Sequence, residues 1–427
     1  MIKLKNLIKS KIFFNIMADG KSMFPLFHSG DILYLKKISF GKLKTDDIVM
    51  VEKNKKRFVH RIIYKTKDFA ITKGDNNLLS DGRVYPSQIL GKVIKCKRKN
   101  RMFSPEDIYL VQSTLYFGEI IKIKNEFENG KIDYVILKGL PIHLYYEKTH
   151  PKRVYADCDL LLKKQNREKA EEILVKFGYQ KIKNDLSRGH KFLRDKTTEV
   201  LYRKYLNGFP VFFDLHFEAA FLMTQLGSLN LLYPQKNIEK LTDDFLEEKR
   251  IIKIKGIDFP VLSLSNLILY LSLHFFHHNY TGIFRLKLLD KLIRTSSISP
   301  RVYKSSFSEL YLKLGKKIID FRLQNFVYLV FVYLRKYFLT PVPREFFRMI
   351  KPDKKTENYI DRLIKQTSIF SSENRFSAGI SRFKNIFYLS PAPLYKKILI
   401  IFNPQVLYSL TWTIVKLLTN HSHYLIL

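Results

Sequence analysis

The period of the hydrophobic pattern changes twice along these 427 residues, a length too great for one compact core, and at least two cores are expected. From Gly20 to about Lys95, short alternating runs (DILYL, DIVMVE, RFVHRIIY, FAITKGD) are broken by Gly, Asn and Asp, which predicts β-structure. Strands then alternate with helices. YVILKG is a strand ending at Gly139, ADCDLLL a second, REKAEEILVKFGY a helix closed by glycine, and VFFDLHF a further strand. From about Leu262 long helical segments follow, separated by turns near Pro300, Pro341 to Pro343 and Pro391 to Pro393. The expected fold class is α+β, with a β-rich unit over residues 1–100, a mixed αβ unit over 101–260 and a helical region over 261–427. Between the first two, KCKRKNRMFSPED has the composition of a linker, and Ser104 with Pro105 opens a helix through about Asn129.

A hydrophobic fraction of 46% excludes a largely disordered chain. Lys and Arg outnumber Asp and Glu by 75 to 39, which favours anionic partners. The lysines are spread along the whole chain, so no specific nucleic-acid partner is expected. Cys96 and Cys158 stand far apart without metal-ligand spacing, which argues against a disulfide framework or a zinc site and fits a reducing, cytoplasmic location. In the basic N-terminal stretch, the longest uncharged run is too short for an h-region followed by a spanning helix, so no anchor is expected there. Phe259 to Phe284 carries no Lys, Arg, Asp or Glu but contains Asn266, His274, His277 and His278, and a buried helix is expected. Ile398 to Val415 is broken by Asn403, Pro404 and Gln405, so peripheral contact with a membrane surface is expected rather than a span.

In GKSMFPLFHSGDILYL, Ser22 lies among small and turn-forming residues, where its hydroxyl could be displayed at a strand edge. A serine nucleophile needs a base that titrates near neutral pH, and His60 in RFVHRIIY is the candidate. Asp75 and Asp81 in ITKGDNNLLSDGR supply carboxylates that could fix the imidazole tautomer. SMFP with its following GD, then HR, then GDNN with a further Asp, resembles the signal peptidase I family over about residues 18–95. The histidine is similar to that of its archaeal and endoplasmic-reticulum branch. The resemblance implies Ser22 as nucleophile, His60 as general base, Asp81 as the aspartate of the triad and Asp75 as a supporting carboxylate. A peptide or preprotein is the implied substrate, and self-cleavage fits as well.

In YADCDLLL, Asp157 and Asp159 are one residue apart, and on a strand they face the same way. Such a pair calls for a cation, and Mg²⁺ (or Mn²⁺) also neutralises nucleotide phosphates. Asp214, flanked by apolar residues in FPVFFDLHF, adds a third embedded acid. YVILKGLPIHLYY, KTHPKRVYADCDLLL and VFFDLHFE together resemble the uncharacterised nucleotidyltransferase family over about residues 130–300. The resemblance implies Asp157, Asp159 and Asp214 as metal ligands and general base, with Lys138, Gly139 and Arg153 contacting a nucleoside triphosphate. Leu140 stands where polymerase-beta-like transferases carry a serine. His274 and His278 share a helix face, with Arg285 and Asp290 on the next helix, and read either as an acceptor or phosphate site or as interhelical packing. Two function classes follow: a bifunctional enzyme joining a serine endopeptidase to a nucleotidyltransferase, and a non-catalytic protein that binds peptide and nucleotide through degenerate enzyme folds.

Overall fold

The computed structural model of the chain describes residues 12–155, 157–182, 198–219, 222, 229–296, 303–371, 375–404, 406, 407 and 411. Its first sheet is antiparallel and comprises β1 (Phe13–Met17), β2 (Ile32–Lys36), β3 (Ile48–Lys53), β4 (Lys56–Lys65), β5 (Ala70–Lys73), β6 (Arg83–Val84), β7 (Ile89–Arg98) and β8 (Arg101–Phe103). The strand order is β1-β2-β7-β3-β4-β5-β6, with β8 paired to β7. Strand β3 shows why the sheet is covered on both faces. Its Ile48 and Met50 enter a core with Leu33, Leu35 and Val93, while Val49 and Val51 enter another with Ile62 and Val84.

The basic stretch expected as a linker is instead a hairpin, with Cys96 opposite Phe103 and Arg98 opposite Arg101. Its lysines misled because Lys95 projects from β7 into solvent and Lys99 lies in the exposed turn of the hairpin. Helix α1 (Pro105–Asn129) begins where the Ser104 side chain accepts from the Asp107 N–H, completing a capping box. Its Tyr109 enters a core of the first sheet, whereas Tyr116, Ile120, Ile123 and Phe127 enter the core of the second. One helix thereby joins both units.

The second sheet is mixed: β9 (Tyr134–Lys138), β10 (Asp157–Leu162), β11 (Gln180–Lys181), β12 (Glu199–Leu206), β13 (Phe209–His216), β14 (Lys249–Ile254) and β15 (Ile257–Leu262), in the order β11-β12-β13-β10-β9-β15-β14. Strands β10 and β13 run parallel, and the register sets Asp159 beside Asp214. Helix α2 (Leu140–Glu147) follows β9, α3 (Arg167–Lys176) follows β10, and α4 (Gln235–Glu247) precedes β14. The helical region opens with α5 (Leu264–His277) and α6 (Phe284–Ser296) and continues through α7 (Tyr303–Asp320), α8 (Gln324–Tyr333), α9 (Arg344–Met349), α10 (Lys354–Gln366), α11 (Arg375–Leu389) and α12 (Leu394–Ile401). It shares one continuous apolar core with the second sheet. The apolar stretch expected as one buried helix is divided, since Phe259–Leu262 completes β15 before α5 starts; uninterrupted apolar sequence does not distinguish a buried strand from a buried helix. No helix among the described residues is long and apolar enough to cross a membrane. Leu394, Ile398, Leu399 and Phe402 of the α12 segment are exposed, and the end of the stretch expected at a membrane surface lies outside the described residues.

The two units are clamped by a buried arginine. Arg61 on β4 makes a two-pronged ion pair with Asp75, at 2.7 and 2.6 Å, and also donates to the Tyr109 hydroxyl at 2.9 Å and the Lys152 carbonyl at 2.8 Å. Burial alone would lower its pKa, but Asp75 holds it well above the usual value, so the guanidinium stays charged. An Arg61→Met substitution removes all five donated bonds, the fifth being to the Asp46 carbonyl at 3.1 Å, and strips Asp75 of its partner. We expect it to destabilise the chain by about 2–4 kcal/mol in urea titrations. An unchanged unfolding midpoint would show that the clamp contributes nothing.

Candidate active site

In the first sheet, β4 presents His60, and the turn after β5 returns Asp81 beneath it. The distance from His60 Nδ1 to Asp81 Oδ2 is 2.7 Å, and the Thr72 hydroxyl donates to the same carboxylate oxygen at 2.7 Å. His60 is buried and Asp81 mostly so. Asp75 does not meet the imidazole, being engaged by Arg61. Ser22 is fastened to the same turn through its backbone: Asn76 N–H donates to the Ser22 carbonyl at 2.8 Å, and Asn76 Nδ2 to the Lys21 carbonyl at 3.1 Å. A Cβ on Gly74 would stand 2.7 Å from the Ser22 carbonyl oxygen, so that glycine is required by close approach. The GD turn preceding β2 is also anchored, since Asp31 pairs with Arg98 and Arg98 donates to the Leu26 carbonyl.

The second site lies where β9, β10, β12 and β13 run side by side. Asp159 is buried, and Asp214 and His216 alternate along β13 so that both face it. One ligand atom from each of these three residues lies within 4.8 Å of the others. His216 Nε2 is 3.4 Å from Asp214 Oδ2 and 3.6 Å from Asp159 Oδ2, too far for good hydrogen bonds. His216 Nε2, Asp159 Oδ1 and Asp214 Oδ1 are accordingly buried without a hydrogen-bond partner. Burial works against a charged His216, but the two aspartates outweigh it and push the imidazole pKa well up. Buried polar atoms of this kind call for a partner, and two carboxylates with an imidazole are a donor set that would suit a cation.

Asp157 stands apart from that cluster, with its side chain half-exposed. Lys138 bridges the DxD pair, at 2.6 Å from Asp157 Oδ2 and 2.9 Å from Asp159 Oδ2. Lys138 holds the Asp157 carboxyl well below the usual range. Burial opposes the charge on Lys138, but Asp157 and Asp159 raise its pKa. Gly139 has φ +124°, and a Cβ there would meet the Asp157 carbonyl oxygen at 2.9 Å, so the glycine after the lysine lets β9 and β10 close together. Arg153 stacks over Tyr155 at 4.6 Å and Phe284 at 5.2 Å, with no ion pair among the described residues.

The sequence reading passed over His216 and Glu199. A signal for His216 was present in DLH, because residues i and i+2 of a strand share a face. Glu199 left no local signal, as only the β12–β13 register brings it opposite His216. Burial and Asp214 raise the Glu199 pKa. His274 and His278 pack ring to ring at 4.6 Å, and burial holds both well below the usual histidine value, helped by Lys138 and Arg285. Asp290 turns away to accept from Arg294 and Thr340. Cys96 and Cys158 are buried free thiols.

Residues 99–296 match the family model described as an uncharacterised nucleotidyltransferase. This stretch is similar to a nucleotidyltransferase domain of that family. Among solved structures, the chain is similar to an antigenic nucleotidyltransferase-like protein from Paracoccidioides brasiliensis, with 14% identity over 51% of this chain and 91% of that one and a TM-score of 0.28. No curated protein matches the chain.

Beside this domain's DxD strand, His143 on α2 is kept neutral: burial lowers its pKa to about 4, with Arg153 and Lys287 adding to the effect. Unfolded histidine titrates near about 6.5, so between those values the unfolded chain binds more protons and stability falls as pH drops. His143→Leu removes this dependence. The wild-type unfolding free energy, measured relative to the variant in urea titrations, is expected to decline from pH 7 to pH 4; a constant difference would contradict the assignment.

Proposed function

We propose that the chain is a metal-dependent nucleotidyltransferase, and the observation that carries this reading is the meeting of Asp159, Asp214 and His216 around three buried, unpartnered ligand atoms. Two carboxylate oxygens and one imidazole nitrogen suit Mn²⁺ at least as well as Mg²⁺, because imidazole prefers the later divalent ions. Held there, the ion would neutralise phosphate charge during transfer. Tyr270, whose hydroxyl is 3.4 Å from Asp159 Oδ2, orients that carboxylate.

The other roles fall to the chain's own side chains. Lys138 and Arg153 bind phosphate oxygens, and Asp157 holds Lys138 charged and in place. An acceptor hydroxyl attacks the α-phosphorus of a nucleoside triphosphate, its proton passes to Glu199 or Asp214, and pyrophosphate departs with the electrons of the broken bond. Incubation with Mn²⁺ and radiolabelled nucleoside triphosphates should show transfer that falls at least about a thousandfold in Asp159→Asn and Asp214→Asn. It should also fall in His216→Ala, with a parallel loss of Mn²⁺ affinity by calorimetry. Transfer that persists in all three variants would remove the reading.

A second activity is favoured by one specific observation, the 2.7 Å contact between His60 and Asp81. On that reading residues 1–100 form a serine endopeptidase unit with Ser22 as nucleophile, His60 as base and Asp81 as the residue that fixes the imidazole tautomer. Asp75 then serves as a positioning residue, acting through Arg61. A fluorophosphonate probe is expected to label Ser22 in the wild type, and to label neither Ser22→Ala nor His60→Ala. Labelling that survives Ser22→Ala would place the nucleophile elsewhere, and its complete absence would leave the β-rich unit as a peptide-binding platform.

A further inference from the structure

The clamp between the two units sets three cations around one small region, and among the described residues none of them has a carboxylate partner. Lys73 lies directly opposite Arg61 in the β4–β5 register, on the side of the first sheet that meets the second unit. Arg61 in turn reaches across to the carbonyl of Lys152, the neighbour of Arg153. Helix α6 is fixed to the first sheet by the ion pair of Lys287 with Asp46, two residues beyond Arg285. A second tie comes from the segment 369–371. Ile369 accepts from the Gly282 and Ile283 N–H groups at 2.9 and 3.0 Å, while the Ser371 hydroxyl meets Ser80 N–H at 3.0 Å, one residue before Asp81. The start of α6 is thus tied to the loop that supplies Asp81.

Phe284 serves as a spacer between two guanidinium groups, with Arg285 4.6 Å and Arg153 5.2 Å from its ring. Among the described residues neither arginine has a carboxylate partner, and Arg285 Nε is buried without a hydrogen bond. Lys73, only partly exposed, likewise has no hydrogen bond or ion pair there. Burial depresses its pKa while Asp75 acts in the opposite direction, and Arg285 is near enough to depress it further. Burial, followed by repulsion from Arg153, lowers Arg285 to about 10. Grouping desolvated cations this way costs stability unless an anion joins them.

We propose that Lys73 of the β-rich unit, together with Arg285 and Arg153, forms a subsite for the outer phosphates of a nucleoside triphosphate whose α-phosphate lies at the DxD strand. This rests on the nucleotidyl-transfer reading for what occupies the site, and it assigns the first unit a part in nucleotide binding. Arg153 shortly precedes the DxD strand in sequence and stacks over both Tyr155 and Phe284, which puts the subsite beside that strand. Tetrahedral phosphate groups carrying several negative oxygens suit two guanidinium forks and an ammonium group better than a single carboxylate would.

Calorimetry on the full chain, at fixed Mg²⁺, with ATP, AMP and inorganic tripolyphosphate as probes tests this. Lys73→Met and Arg285→Met are each expected to weaken ATP and tripolyphosphate binding about tenfold while changing AMP binding less than about twofold. Lys73→Arg, which keeps the charge, should retain most of the affinity and shows that a loss in Lys73→Met is not misfolding. Equal weakening of AMP and ATP, unchanged ATP binding in both Met variants, or a wild type that binds neither polyphosphate would overturn the proposal. The two readings fail separately. Nucleotide transfer that needs Asp159 but is indifferent to Lys73 sinks only the subsite, whereas tripolyphosphate binding that needs Lys73 in a chain that transfers no nucleotide sinks only the activity.

Discussion

The parallel pairing of β10 with β13 is the constraint on which the second site depends. Its register sets Asp159 against Asp214, and the alternation of β13 brings His216 to the same place. Two carboxylates this close repel in a medium of low polarity, so the arrangement survives folding only if positive charge is supplied. The chain supplies part of it. Lys138, delivered by the antiparallel neighbour β9, sits 2.9 Å from Asp159 and ties Asp157 to the same ammonium group. What Lys138 leaves unsatisfied is the far oxygen of Asp159, the buried oxygen of Asp214 and Nε2 of His216. The charge balance is therefore divided between a resident lysine on one side and three buried, unpartnered ligand atoms on the other.

The same division recurs at the boundary between the units, with the sign reversed. Arg61 is fully paired, and it is one of the groups that fix one unit against the other. Lys73, its cross-strand neighbour, has no hydrogen bond or ion pair among the described residues. Because β4 also carries His60, the strand that delivers the imidazole of the first site is the strand whose next residue reaches the second unit. A displacement at the junction would consequently be felt by both sites, through Arg61 on one side and through the Ser80 to Ser371 contact next to Asp81 on the other.

Much of this was legible in the sequence where local chemistry decides. The capped start of α1 at Ser104, the glycine ending β9 and the acids on two apolar strands all carry their reason in adjacent residues. The period-2 runs before residue 95 did identify a sheet, though alternation alone did not disclose that β3 is covered on both faces. Other features depend on distance in space. The charged hairpin of β7 and β8 imitates a linker because its lysines face solvent, and β15 imitates the start of α5 because both are wholly apolar. Glu199 joins the second site through register alone, across a strand that the sequence offers no reason to single out. That Asp75 would meet Arg61 and Asp81 would meet His60, when both acids lie in one turn, is settled by which residue the turn aims at which face of β4.

Net charge illustrates the limit of composition most clearly. An excess of 36 positive charges says little about partners when the lysines are distributed evenly, and many of these cations are answered by local carboxylates. Lys317, for example, is held by Asp244, Glu248 and Asn266, and Arg98 by Asp31. A paired cation is neutralised at home and has little left for a ligand. The informative cations are those that folding carries inward without an answering acid among the described residues, and Arg153, Arg285 and Lys73 are of that kind. Their meaning comes from desolvation: surface lysines lose almost nothing by remaining unpaired in water, but these three have been taken partly out of water beside one another. An anion from outside the chain would restore the balance, as the proposed phosphate subsite requires.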